Sequence, residues 1–368
     1  MGMKTFDGHL ETCKELPDVT LIIDDTEFPA HRSILSKHSE YFKAMFSLNF
    51  IESNSDKITL KETNLKAFKI VLKYMYTGDY NYYNITIYEN FQLHTCAKYF
   101  MVDALVQEVN RYLQSENPSL ILNEAIAYGC DEIVSLSTER IQNNVFNLIV
   151  NKVFDYLSPT AVEHLLKVRL HTEESVIFAA LIAWMQSHLE YSFLFPKLLN
   201  LVDLYLLHEN HEDILFQSRL IEPDLYYSIL ENQKERASEV QKAVNQNVIN
   251  GVEDLRIVDG ACKVPRPQVI SANPVRSGNR IVIDLKQQFL LNCLKLKLKN
   301  ETRYTVSVSR DMRRWEPVKC QGLMSIGQQK VVFKEQVVRF IRIEASHFLN
   351  PRLKIHSDIE ALYLTKLK

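Results

Sequence analysis

The hydrophobic period of this chain changes along its length, and one layer of one kind of secondary structure cannot accommodate such a change. Up to about residue 85, extended and helical signals alternate. The β-branched run DVTLII at 18–23, the turn signal DDTE and a second extended piece opening at Phe28 predict a hairpin. In HRSILSKHSEYFKAMF, residues Ile34, Leu35, Tyr41, Phe42, Met45 and Phe46 share one stripe at helical period. KITL at 57–60 reads as another strand. LKAFKIVLKYMYTGDY repeats the helix signal through Phe68, Val71, Leu72, Met75 and Tyr76, with Gly78 where a C-terminal cap belongs.

From 86 to 230 strand signals vanish and amphipathic helices follow one another, from TIYENFQLHTCAKYFMVDAL to TEESVIFAALIAWMQSHLE. Ser158 and Pro159 suit the start of one helix; Thr172 is the candidate cap of the next, with Glu173 and Glu174 at the positive end of its dipole. After a polar stretch the period becomes two: IVIDL at 281, LKLKLK at 294–299, YTVSVS at 304–309, KVVF at 330 and RFIRIE at 339–344. Separate strands joined by turns, forming a sandwich or barrel, are the expectation.

At 368 residues the chain exceeds one ordinary core. The expected organisation is multi-domain: an α+β domain at 1–115, an all-α array at 116–235, a linker at 236–256 and an all-β sandwich at 257–368. A hydrophobic fraction of 46% can fill such cores. The formal charge of −2 gives no field suited to nucleic acid. The longest apolar run, SVIFAALIAWM at 175–185, is about half of a bilayer span, and the N-terminal residues lack the apolar core of a signal peptide. The expectation is a protein of the cytoplasm, with the nucleus also open. Cysteines at 13, 96, 130, 262, 293 and 320 form no C-x-x-C pair, which favours reduced structural thiols over metal ligands or disulfides.

No nucleotide-binding, serine-hydrolase, zinc-protease or calcium-loop motif is present, so neither catalytic residues nor a cofactor are expected. HENHE at 208–212 admits a metal hypothesis without a further ligand, and a solvated helix end is preferred. His31 reads as a hydrogen-bonded residue at a helix start. NIT at 84 and NET at 300 match glycosylation acceptors by coincidence. Arg310, Arg313, Arg314 and Trp315 could form a partner-binding hairpin tip; a packed Trp with solvated arginines is the bland alternative. Phe50, Ile51 and Glu52 sit before a polar loop. Either both apolar side chains fold back on the preceding helix, or an exposed hydrophobe and an acid form a partner anchor.

The D-V pair at Asp18 and Val19, F-x-A-H-R at Phe28–Arg32, S-x-Y-F at Ser39–Phe42 and Y-x-Y-T-G at Tyr74–Gly78 resemble a BTB (POZ) domain. TEESVIFAALIAWM resembles part of a BACK domain. RIVIDLKQQFLLNCLKLKL, YTVSVSRDMRRWEPV and KVVFKEQVVRFIRIEASH are similar to the discoidin-like (coagulation-factor type C) sandwich, without its bracketing disulfide. This order resembles the BTB-domain-containing protein nine group, whose vertebrate members carry two such sandwiches where this chain has room for one.

The resemblance implies a homodimer through BTB that recruits cullin-3, a substrate receptor of a RING-type ubiquitin ligase. Phe50, Ile51 and Glu52 lie where the family carries its hydrophobic-x-Glu cullin motif; Leu120, Ile121 and Glu124 resemble the segment that extends that contact. An unidentified protein substrate would sit on the β domain. The alternatives are a BTB scaffold or transcription-associated protein without cullin, or a lipid- or sugar-binding β domain.

Overall fold

Val19–Ile23 (β2) and Thr26–Ala30 (β3) form the expected hairpin, pairing from Val19 with Ala30 to Ile23 with Thr26 around Asp24, whose φ is 51°. The computed structural model describes residues 4–5, 15–47, 50–81, 85–143, 153–207, 210–249, 255–262, 269–272, 279–320, 324–345 and 352–365. They divide into two units, Met1–Ser137 and Thr138–Lys368.

In the first unit, Lys4–Thr5 (β1) and Lys57–Thr59 (β4) complete a sheet of order β1-β3-β2-β4. The stripe of residues 31–46 is two helices rather than one: Arg32–His38 (α1) and Glu40–Met45 (α2). Ser39 breaks them. Its backbone is extended, its Oγ accepts the Phe42 N–H at 3.1 Å, and the same hydroxyl donates to the Phe100 carbonyl at 2.5 Å. A buried serine at an N-cap satisfies a helix donor that continuous helix would not have exposed.

Leu65–Thr77 (α3) is capped by Asn64 and closed by Gly78 at φ 68°, whose N–H bonds the Tyr74 carbonyl. Ile87–Tyr99 (α4) opens with a Thr86–Glu89 capping box. The run expected to continue to Leu105 breaks at Met101, φ 51°, before Asp103–Ser115 (α5). Pro118–Ala127 (α6) and Asp131–Asn143 (α7) follow. Phe42 stacks on Phe100 at 5.3 Å, and Phe68 meets both Phe100 and Phe28 edge-on, so helices and sheet share an aromatic centre. Ile121, Ala125 and Ile133 belong to the same core, so packing runs past the boundary expected at 115/116.

The second unit contains Pro159–Val168 (α8), Glu174–Ser187 (α9), Phe195–Leu199 (α10), Asn210–Ser218 (α11) and Pro223–Ser238 (α12). Ser158 caps α8 as expected. Thr172 does not cap α9: Glu173 occupies that position without a side-chain cap bond, and the Thr172 carbonyl accepts from Arg256. Trp184 is buried and donates to the Leu157 carbonyl at 2.9 Å.

The stretch 236–256 is not a free spacer. Val240–Gln241 (β5) pairs with the long strand Arg280–Thr302 (β9), and Asn247 and Asn245 bond residues 361 and 365. Arg256–Asp259 (β6), Ala261–Cys262 (β7), Val269–Ser271 (β8), Tyr304–Ser309 (β10), Glu316–Cys320 (β11), Ser325–Ala345 (β12), Lys354–His356 (β13) and Glu360–Leu362 (β14) complete the sheet. The path is β11-β10-β12-β9-β13-β8-β7, with β5, β6 and β14 also on β9.

IVIDL and LKLKLK are one strand, not two, and so are KVVF and RFIRIE. Their pairing survives the polar interruptions through register shifts between Val332 and Gln336 and between Val338 and Phe340, and through Lys286 at φ 68°. Irregularities of this kind let a long strand bend while keeping its partner.

Within this unit, a buried ionic cluster binds helices to sheet. Arg256 donates to Glu174 and to the carbonyls of Leu170 and Thr172. Arg339 holds Asp284 at 2.8 and 3.0 Å, Asp203 at 2.7 Å, and the Tyr205 hydroxyl. Arg169 also clasps Asp203. Three arginines thus face three carboxylates, which is what permits charges to remain where little water reaches them.

Candidate partner-binding surfaces

Phe50 stands at the head of a 3₁₀ turn, Ile51–Asn54, and is 51% exposed. Its N–H bonds the Ser47 carbonyl and its own carbonyl accepts from Ser53, so the ring is held outward by a short ordered turn. Glu52 is half-buried. The Ile51 side chain lies outside the described residues.

Arg32 clamps this turn to α1. Its guanidinium donates to the Glu52 carbonyl at 3.3 Å and the Ser55 carbonyl at 2.7 Å and lies 4.7 Å from the Phe46 ring centre. Asp18 in turn accepts the Arg32 N–H at 2.8 Å. Buried His31 pairs its Nδ1 with the Tyr76 hydroxyl at 2.8 Å and its Nε2 with the Glu15 carbonyl at 3.0 Å. It is a structural connector, and its motif partner Tyr76 lies 45 residues on.

On α6, Leu120 is 37% exposed and Glu124 half-buried, four residues apart and so on one helical face. Ile121 is corrected: at 1% exposure it is a core side chain, because a one-residue step turns it from that face into the packing against α4.

The expected tip at 310–315 is also reduced. Arg313 is exposed but tethered: one guanidinium nitrogen donates to the Leu207 carbonyl at 2.5 Å. Trp315 donates to the Met312 carbonyl and carries Arg342 over its ring at 4.5 Å. Asp311 organises the loop by accepting the backbone N–H groups of Arg313 and Arg314. Burial raises the Asp311 carboxyl, but those N–H groups outweigh it and hold the pKa below its usual value. Arg310, Arg313 and Arg314 are exposed, and Trp315 is half-buried.

In HENHE, His208 and Glu209 lie outside the described residues. Glu212 accepts from the hydroxyls of Tyr226 and Tyr227, and the His211 ring packs on Phe178. Among the described residues no group of three His, Cys, Asp or Glu side chains could hold a metal. Cys96 and Cys293 are buried thiols, and burial pushes Cys96 up to about 12, which makes it unreactive.

The ionic cluster went unforeseen. Burial pushes the Asp284 carboxyl up to about 7 against the pull of Arg256. At Asp203 burial also raises the pKa, but Arg339 and Arg169 outweigh it and the net direction is downward. The available signal was a single charge inside an apolar strand: Asp284 within IVIDL and Arg339 before FIRI.

Comparison with known proteins adds lineage. Residues 8–117 match the BTB/POZ domain and residues 119–214 match BACK, described as BTB And C-terminal Kelch. BTB/POZ domain-containing protein 9 of Drosophila melanogaster is 24% identical over 96% of this chain, and the chain spans 52% of that protein's length. Kelch repeat and BTB domain-containing protein 2 of Homo sapiens is 27% identical over 47% of this chain and 28% of its own length. Among solved structures, the BTB domain of zebrafish PATZ1 is 22% identical with a TM-score of 0.25, covering 30% of this chain and 85% of that one. The chain therefore carries a BTB/POZ domain followed by a BACK domain and is homologous to BTB/POZ domain-containing protein 9 over most of its length.

Proposed function

We propose that this chain is a non-enzymatic adaptor that dimerises through its BTB domain, recruits cullin-3 and presents a protein substrate on its C-terminal sheet, which we assign to the discoidin-like class. The observation that carries the reading is the outward Phe50 on a turn clamped by Arg32, with Glu52 beside it. An exposed aromatic next to a charge is the composition of an interface hot spot with a register-setting group. We assign the partly exposed Leu120 and Glu124 of α6, in the same unit, to the same partner; the BTB and BACK matches support the assignment. The mechanism is proximity: tethering a ligase and a substrate raises their effective concentration. We place the activity in the cytoplasm.

The test is cullin-3 capture by the full chain and by Phe50→Ala and Glu52→Lys variants, with dimer mass measured in parallel by light scattering. Capture should fall at least tenfold in both variants while the dimer persists. Unchanged capture would overturn the assignment of this surface.

A further inference from the structure

The outward face of β9 carries lysine at alternate positions, Lys295, Lys297 and Lys299, while Leu294, Leu296 and Leu298 point into the core. Neighbouring strands continue the pattern. Lys330 of β12 lies directly across from Lys295, and Gln328 across from Lys297. On the other side, the pairing of Ile355 with Leu298 sets Lys354 beside Lys299 and His356 beside Lys297. Among the described residues the carboxylates on this face are Glu360, 2.6 Å from Lys295, Asp358, 3.0 Å from His356, and the exposed Glu301 at the end of the ladder, two residues past Lys299. A trough of about 670 Å³ runs between Lys295, Lys297, Lys330, His356 and Glu360, with Lys299 and Lys354 beyond its end.

Like charges directly opposite in a sheet are destabilising. Lysines often guard a sheet edge against pairing with other chains, but β9 is paired on both flanks, so that need does not account for its ladder. We propose that this face binds an acidic segment of a partner protein, an extended stretch with Asp or Glu at alternate positions. The proposal rests on the reading of the C-terminal sheet as the substrate-holding region and names the chemistry of that substrate.

The spacing supports it. Lysines two residues apart on a strand recur every 6.6 to 6.8 Å or about that, the same repeat as alternate side chains of an extended ligand. Exposed Ile326 and Val332 flank Gln328 and Lys330 on the same face of β12 and offer apolar contacts beside the trough. Among the described residues no Phe, Tyr or Trp lines the trough, and its one ring, His356, is paired with Asp358, which disfavours base stacking and so nucleic acid. Glu360 and Asp358 sit within the face, where a uniformly anionic bilayer would press on them; a strand with spaced carboxylates can avoid them.

The experiment uses the full chain and a fluorescein-labelled peptide of alternating Glu and Thr, read by anisotropy at low and high salt. A peptide of alternating Lys and Thr, a single-stranded oligonucleotide and phosphatidylserine vesicles are run alongside. The acidic peptide should bind, weaken severalfold at high salt, and lose at least tenfold in affinity in Lys297→Glu/Lys299→Glu/Lys330→Glu. A Lys297→Gln/Lys299→Gln variant, with thermal melting as the fold control, should lose an intermediate amount. Absence of binding, or equal binding by these variants, overturns the proposal; so does tighter binding of oligonucleotide or vesicles through the same lysines. Cullin-3 capture separates the two readings: intact capture with no peptide binding sinks this inference alone, while lost capture with intact peptide binding sinks the adaptor reading alone.

Discussion

Arg32 organises the Phe50 turn through bonds to the Glu52 and Ser55 carbonyls. Each such bond on partly exposed groups contributes about 1 kcal/mol. Arg32→Ala should therefore leave the chain folded, with a modest fall in melting temperature, while cullin-3 capture drops severalfold because the anchor loses its fixed orientation. Titration calorimetry beside a thermal melt checks this; unchanged affinity would remove Arg32 from the interface argument. The letters of the F-x-A-H-R motif were legible, but the role of its arginine was not. Backbone carbonyls are its acceptors, and every residue has one. Ile121 failed for a different reason: resemblance marked a segment, and only helical phase separates a residue that faces outward from the neighbour one step on.

At the scale of elements, the joint between α9 and the sheet depends on Arg256, which is almost wholly buried and bonds Glu174, Leu170 and Thr172. Arg256→Met would strand the Glu174 carboxylate without its nearest cation, and breaking one side of a buried ion pair costs about 3–5 kcal/mol. Urea unfolding of the full chain should show the loss in the transition that reports the second unit. A change under 1 kcal/mol would mean that water replaces the arginine. The α3 terminus offers a contrast. Nothing lies within 4 Å of a Cβ placed on Gly78, so Gly78→Ala should cost about 1 kcal/mol through its left-handed backbone alone. That cap was legible because glycine after an apolar period has one common use. The continuity of β9 and β12 was not: the interval between IVIDL and LKLKLK read as a turn, since alternation cannot distinguish a turn from a bulge that keeps its partner.

At the scale of the molecule, protonation acts on the second unit through His171. Burial, then the nearby charges of Arg256 and Lys286, push its pKa down to about 4. The unfolded chain takes up this proton below about pH 6.5 while the folded chain refuses it until about 4, so stability is lost as pH falls through that window. The full effect is about 3 kcal/mol. His171→Gln should gain stability relative to the parent by up to that amount between pH 7 and 4, measured as the difference between paired melts; a constant difference would contradict it. The succession from mixed to helical to period-two sequence foretold the order of α+β, helical and β regions, because burial of one face imposes its period on the chain. The ionic cluster stayed hidden, since six charges separated by up to 170 positions become neighbours only after folding.

The stitching of residues 245–247 to 361–365 has a temporal side. The bonds between Asn245 and Thr365 span 120 positions and those between Asn292 and Leu364 span 72, so the sheet around β9 is closed by segments synthesised after β9 itself. Pairings this distant in sequence form slowly. During synthesis the helices ahead of residue 240 can settle first while β9 waits with a flank unoccupied, an interval in which an unpaired strand is open to aggregation.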